Sequence, residues 1–329
     1  MPPRLARLLA IVAAVALVGG AFALRGALSG DDDEGVASGP GSTEAGGDPD
    51  APIRVICDED LGDAACDAIK RLDGVDELKV MTASKALGED ALGAEDPQYD
   101  VWVTLDPWPQ ILDVAREVDD LGPVASDETI ALATSAPAIL ANAAGTSCED
   151  PVKWACLADE AAAGDDIGMA SLDSAWGPLL LGDAAAGLLD TADFSIRDAQ
   201  SDPTRSQLSG LLDSAPPGSL EDQARLVTRP GQYDALATTS GLAERTAATV
   251  QAGQQGLTVR SLGPEASIGV VMAPIGPNGA AAVDRLTEGA TDQTVSDALA
   301  VAGWSGPPGP TTGLPAPDLL YALNEDFRR

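Results

Sequence analysis

Histidine is missing from all 329 residues of the chain. That removes the commonest general base, the Ser-His and Cys-His nucleophile pairs, and histidine-rich metal sites. Aromatic residues make up only 3%, so Ala, Leu and Val must supply most of any core. Positive charge is also scarce: 19 Lys and Arg stand against 52 Asp and Glu, a net charge of −33. Binding to nucleic acid depends on Lys and Arg displacing counterions from phosphate, and this chain would repel the polymer. There is no G-x-S-x-G elbow and no phosphate-binding G-x-x-x-x-G-K loop. Carboxylates are too numerous for any catalytic pair to be singled out. The chain reads as a non-enzyme, with no cofactor and no metal called for.

What is present suffices for a large folded body. Apolar residues are 45% of the total, ample for a core, and the length allows one large domain or two. Arg outnumbers Lys by 15 to 4, the bias of a high-GC bacterial genome. Arg4 and Arg7 precede an unbroken apolar run, Leu8–Leu24, which is followed by Arg25 and the acidic stretch Asp31–Glu34. This charge order leaves the N-terminus inside the cell and sends everything after the run outside. As a helix the run spans roughly 25 Å, a little short of the ~30 Å hydrocarbon core. Ala21-Phe22-Ala23 resembles a signal-peptidase site, so two readings stay open: a single-pass anchor through residues 8–24, or a cleaved signal. The length of the run and the lack of a polar segment before Arg25 favour the anchor. No Cys lies near it, which excludes a lipoprotein anchor.

The four cysteines fit an extracytoplasmic compartment. Cys57 lies close to Cys66 and Cys148 close to Cys156, with the two pairs far apart. Local pairing is the simplest of three connectivities, each bridge closing a loop worth about 2.5 kcal/mol in the chain-entropy model. A zinc site would need two C-x(2–4)-C knuckles, and these spacings are too wide. Residues 26–51, rich in Gly, Ser, Asp and Glu, read as a flexible tether between residues 1–25 and a domain over 52–329.

From Pro52 onward short apolar strands alternate with helices. Ile53–Cys57, Leu78–Thr82, Tyr99–Leu105 and Thr129–Thr134 are predicted strands, with helices at Ala64–Leu72 and Pro107–Val118. This pattern predicts parallel β-α-β units covered on both faces. Further on, helices are predicted at Pro151–Ala163, Ser174–Leu189, Pro203–Leu212, Leu220–Thr228 and Gly241–Gln251. Strands are predicted at Asp166–Ala170, Tyr233–Thr238, Leu257–Leu262 and Ile268–Pro274. Helices at Asn278–Gly289, Asp292–Ala302 and Pro317–Phe327 close the chain.

Several segments in this order carry a resemblance: IRVICDED, YDVWVTLDPWPQILDVA, IGMASLDSAWGPLLLGDAAAGLL, QYDALATTSGLAER and the closing DALAVAGWSGP. Together they resemble the type 2 periplasmic binding proteins, the extracellular solute-binding proteins of bacterial transporters, in their high-GC bacterial form. The likeness spans about 52–329 and its motifs are loose. It implies an α/β, two-lobed fold, with the first lobe about 52–134 plus 264–329 and the second about 135–263. Ligand would sit between the lobes at the C-terminal ends of strands, where helix N-termini present free N–H groups, and hinge closure would trap it.

Polar residues directly after predicted strands are the candidates for that cleft. In the first lobe these are Asp58, Glu59, Ser84, Asp106 and Trp108, with Thr134 and Ser135 at the crossover. In the second lobe they are Ser171, Asp173, Ser174 and Trp176, then Thr238, Thr239 and Ser240. Each has a plainer explanation. Asp173, Ser174 and Ser240 are good helix N-caps, Asp106-Pro107 is a cap followed by Pro, and both tryptophans suit a core. The hydroxyls and helix N-termini would suit an oxyanion, whereas Asp58, Asp106 and Asp173 would suit an amine or a polyol. Two functions remain in view. One is capture of a small solute for a membrane transporter or receptor. The other is a cell-envelope interaction module that keeps the fold without transport.

Overall fold

The computed structural model describes residues 51–88, 90–126, 128–142, 145–213, 215–216, 218–229, 232–250, 256–263 and 265–328. The apolar run at 8–24 lies outside the described residues, as does the tether but for its last residue. No helix among the described residues is long and apolar enough to cross a membrane.

Two five-stranded sheets organise the molecule. The first joins β1 (Ile53–Asp58), β2 (Val75–Met81), β3 (Val101–Leu105), β4 (Ile130–Ser135) and β10 (Ile268–Pro274) in the order β2-β1-β3-β10-β4. The second joins β5 (Pro137–Ala141), β6 (Val152–Lys153), β7 (Ile167–Gly168), β8 (Ala235–Thr239) and β9 (Thr258–Gly263) in the order β6-β9-β5-β8-β7. Strands β3 and β10 are buried at every position, as their continuous apolar sequences VWVTL and IGVVMAP require of strands covered on both faces.

The sheets are not uniformly parallel, and here the structure corrects the sequence reading. β1 runs parallel to β2 and β3, but β10 runs antiparallel to β3 and β4, and β5 antiparallel to β8 and β9. The reason is the connection. A parallel neighbour needs a long crossover, whereas the chain passes from β4 to β5 through Ala136 alone and from β9 to β10 through four residues. Each crossing delivers a strand that inserts, reversed, into the middle of the other sheet.

Twelve helices are described: α1 (Asp63–Lys70), α2 (Ala83–Ala86), α3 (Trp108–Val118), α4 (Trp154–Ala163), α5 (Trp176–Leu189), α6 (Ile196–Ala199), α7 (Asp202–Leu212), α8 (Leu220–Val227), α9 (Ser240–Thr249), α10 (Gly279–Ala290), α11 (Gln293–Ala302) and α12 (Pro317–Phe327). A 3-10 turn, Glu59–Leu61, follows β1. The C-terminal helix α12 packs on α3 from the first lobe and on α5 from the second. Cys57 is joined to Cys66 and Cys148 to Cys156. The first bridge ties β1 to α1, and the second ties the segment before β6 to α4.

With so few aromatics, each tryptophan anchors a region. Trp102, Trp108, Trp154, Trp176 and Trp304 are all fully buried. Trp102 meets Trp108 edge-on at 6.4 Å, and Trp176 meets Trp304 edge-on at 5.5 Å, the favoured geometry for ring quadrupoles.

Helix α5 is buried from Trp176 to Ala186, and Asp183 is the one ionisable group in that wall. Its Oδ2 accepts a hydrogen bond from Trp154 Nε1 at 2.8 Å, and its Oδ1 accepts none. Burial pushes its pKa up to about 7, against the opposing pull of the Trp154 bond. The folded state therefore holds this proton more tightly than the unfolded chain does. The stabilisation is complete below the ordinary value of 3.8 and declines as pH rises toward 7. Asp183→Asn keeps an acceptor for Trp154 and cannot ionise. We expect it to raise stability at pH 8 by a few kcal/mol, at about 1.4 kcal/mol per unit of pKa shift, and to change little at pH 4. Calorimetric melting of both proteins at the two pH values checks this.

Candidate functional site

The strand ends of the two lobes face each other across a seam, and what fills it is mostly protein. Strand β1 ends at Asp58, which is fully buried. Its Oδ1 accepts from Asp60 N at 3.1 Å and its Oδ2 from Thr104 Oγ1 at 3.2 Å. Burial, reinforced by the nearby Asp60 carboxylate, raises the Asp58 pKa well above its ordinary value. Asp58 thus caps the 3-10 turn from inside the core and does not face the seam.

The turn it caps carries Asp60 to the start of α5. Asp60 Oδ2 accepts from Trp176 N at 2.9 Å. Its Oδ1 is buried without a hydrogen-bond partner. The Asp60 carbonyl accepts from Trp304 Nε1 at 3.3 Å. Free N–H groups at a helix N-terminus favour an anion, and here the anion is supplied by the opposite lobe. Burial is the larger influence on Asp60 and raises its pKa to about 6, with Glu59 adding in the same direction.

Three more groups hold the loop leading into α5. Trp108 Nε1 donates to Ala175 O at 2.8 Å, and Ser84 Oγ donates to Asp173 O at 3.0 Å. Arg328 follows α12, donates to Leu172 O and to Ser84 Oγ, and lies 3.7 Å from the Asp173 carboxylate. Within the loop, Ser174 Oγ donates to Ser171 O at 2.9 Å and accepts from Gly177 N at 2.9 Å. Gly177 has to be glycine, because a Cβ there would lie 2.1 Å from Ser171 O.

A second point of contact lies at the crossover. Ser135 Oγ and Ser240 Oγ are 3.2 Å apart, and Ser240 N donates to Ala136 O at 2.8 Å. Thr239 Oγ1 caps α9 by accepting from Leu242 N at 3.2 Å. Gly303, at φ +104°, brings the end of α11 against this cap, where a Cβ would meet Thr239 Oγ1 at 2.6 Å.

The structure thus brings Ser84, Trp108, Ser171, Asp173 and Ser174 to one patch of the seam, and Ser135, Thr239 and Ser240 to another. Trp176 joins the first patch through its backbone N–H. Asp106 belongs to neither: its Oδ2 accepts from Thr311 N at 3.1 Å and its carbonyl from Thr311 Oγ1 at 2.9 Å. Thr134 likewise turns to the C-terminal loop, donating to Pro307 O at 2.9 Å. Thr238 is buried within β8. The groups that sequence reasoning passed over are Asp60, Trp304 and Arg328. Asp60 had a signal, since it follows Asp58 and Glu59 in the same post-strand turn. Trp304 stands in the closing segment DALAVAGWSGP that carries the resemblance, and Arg328 had no signal.

An open space lies along this junction, a cavity of about 410 Å³ between the turn after β1 and the start of α8. The first lobe lines it with Glu59, Asp60 and Asp63, and the second with Glu221 and Asp222.

The chain matches no family model and no curated protein sequence. Solved structures do match. The ferric binding protein of Campylobacter jejuni aligns at 14% identity over 84% of this chain and 96% of its own, with a TM-score of 0.54. The apo ferric ion-binding protein A of Pasteurella haemolytica aligns at 14% identity over 84% and 94%, TM-score 0.53. Iron-bound HitA of Pseudomonas aeruginosa aligns at 13% over 84% and 99%, TM-score 0.53. The fold is that of the type 2 periplasmic binding proteins. In this fold the Asp60–Trp176 and Trp108–Ala175 bonds are contacts between lobes. Trp108→Phe keeps most of the ring and removes the donor, leaving the Ala175 carbonyl unpartnered. A loss of about 1–3 kcal/mol is expected for a buried acceptor so orphaned, seen as a lower urea midpoint with an unchanged slope.

Proposed function

We propose that the chain is an extracytoplasmic solute-binding protein that closes its two lobes on a small solute and presents it to a membrane transporter or receptor. The observation that carries this reading is the full two-lobed architecture with its direct strand crossings. The fold matches along almost the whole length of two chains whose names describe ferric binding. Lobes of about 52–134 plus 264–329 and about 135–263 would turn about the crossings at Ala136 and 264–267. Residues 8–24 would hold the protein to the membrane as a single-pass anchor, with 26–51 as spacer.

One observation favours the second reading, an envelope interaction module with no transport role. The N-terminus of α5 is already met by Asp60 and the adjoining loop by Trp108, Ser84 and Arg328, so the seam can close without a solute.

Thermal melting of the full chain in detergent, against oxyanions, sugars, amino acids and polyamines, separates the two. A ligand at a hundred times its Kd stabilises the folded state by about 2.7 kcal/mol, so one class should raise Tm by several degrees. If no class does, transport-linked capture fails and the module reading stands.

A further inference from the structure

The Cys148–Cys156 bridge of the second lobe has a carboxylate beside it. Glu160 stands one turn after Cys156 on α4, so the two side chains share a face of the helix. Both sulfurs and one Glu160 carboxylate oxygen lie within 4.8 Å of one another, the one such triad of ligating side chains among the described residues. Half of this carboxylate has a structural role. Its Oε1 accepts from Ser147 N and from Ser147 Oγ, both at 2.6 Å, and so holds the chain just before Cys148. Its Oε2 is buried without a hydrogen-bond partner, an unfavourable state for an oxygen of a charged group. Neither the disulfide nor the helix explains that second oxygen.

Reduction of the bridge changes what the triad can do, because a thiolate is a metal ligand. The thiolate of a dithiol attacks the Cys156 sulfur and expels the Cys148 thiolate, which takes up a proton. The second thiol of the reductant then closes on the first, leaves as a cyclic disulfide and frees Cys156. Two electrons and two protons have passed from the dithiol to the two cysteines. Cys156 is half-buried, whereas Cys148, Cys57 and Cys66 are buried, so attack falls on this bridge and spares Cys57–Cys66.

Two thiolates and a carboxylate in so small a space repel one another, and a divalent cation between them removes that repulsion. Tetrahedral zinc has Zn–S bonds of about 2.3 Å and Zn–O bonds of about 2.0–2.2 Å, which set neighbouring donors about 3.6–3.8 Å apart. That spacing falls inside the 4.8 Å that contains the triad, and the sulfurs, released from their bond, have only to part to it. Three negative ligands leave a zinc site one charge negative. Arg260, which donates to the Cys148 carbonyl, stands next to the site as the balancing cation. The wide spacing that excludes a four-cysteine site does not exclude this one, because the fold has already brought the two sulfurs together.

We propose that the reduced Cys148–Cys156 pair and Glu160 form a zinc site on the second lobe, opened by a dithiol and closed by the disulfide. Zinc replaces the two thiol protons, and water completes its coordination. The site uses no residue of the seam and is independent of the solute-binding reading.

The test titrates the full chain in detergent with cobalt(II) chloride, a spectroscopic stand-in for zinc, before and after treatment with a dithiol that is then removed without air. Mass mapping of alkylated cysteines identifies the bridge that was opened. One cobalt per reduced chain is expected, with a thiolate-to-cobalt absorption band that zinc abolishes by displacement, and no such binding to the oxidised chain. Glu160→Gln keeps an oxygen for Ser147 and should bind cobalt at least tenfold more weakly. Cys148→Ser/Cys156→Ser should lose the band. Melting curves confirm that each variant is folded, and the comparison of reduced with oxidised chain needs no variant. The proposal is overturned if the reduced chain shows no thiolate band or the oxidised chain binds cobalt as tightly. It also falls if reduction opens Cys57–Cys66 instead, or if folded Glu160→Gln binds as the parent does.

Discussion

Helix α5 begins in the middle of the molecule, buried on nearly every side, and the free N–H groups of its first turn must be satisfied there. Ser174 Oγ, from the preceding loop, meets the Gly177 N–H, and the Trp176 N–H needs another acceptor. The group that arrives is the carboxylate of Asp60, from the other lobe. Much else follows from placing that carboxylate. Asp58 is buried beneath it to shape the turn that presents it, Thr104 holds Asp58, and Trp304 fixes the Asp60 carbonyl. The Cys57–Cys66 bridge fastens the strand before the turn to the helix after it. Two acidic groups are thereby buried close together, the proton affinity of both is raised by burial, and that of Asp58 is raised further by Asp60. The arrangement persists because a helix N-terminus and a ring of N–H and O–H donors receive them.

The same logic explains why an acidic chain without histidine can still close on itself. The bonds that cross the lobes use no Lys. Arg328 reaches Leu172, Ser84 and Asp173 from the C-terminus, and Arg205 of α7 pairs with Asp326 of α12. The others use backbone N–H and C=O groups, hydroxyls, the Trp108 indole N–H and one carboxylate, that of Asp60. Most of these groups are neutral, so the closure depends little on the net charge of −33. The acidity is left to the surface and to the junction cavity.

Much of the fold was legible because its core strands and helices are marked locally. IRVIC and IGVVMAP are continuous apolar runs, and α12 starts at Pro317 and ends at Phe327, as its proline and apolar spacing predict. Strand β5 was missed because nothing marks it: PAILA begins with proline and follows β4 after a single residue, so one apolar stretch holds two strands of different sheets. β6 was absorbed into the start of a helix because two residues have no period to detect. The seam was legible only in part. Ser84, Trp108, Asp173 and Ser174 were found as strand-end residues, but their partners are long-range. Asp60 and Trp176 are 116 residues apart, and Trp108 and Ala175 are 67 apart. Composition and spacing carry no record of such pairs. The hydroxyls gathered as a ligand set divide between helix caps and lobe-to-lobe bonds, because one residue type serves all three purposes.

Asp60 stands in the seam and in the wall of the junction cavity at once, and its two oxygens have different fates. Oδ2 is committed to the Trp176 N–H, while Oδ1 is free of any partner. Burial raises the pKa of this carboxyl to about 6, because taking the charge out of water disfavours its ionised form. One side chain thus carries both the contact between the lobes and the cost of desolvating an acid, and the helix N-terminus it meets offsets part of that cost.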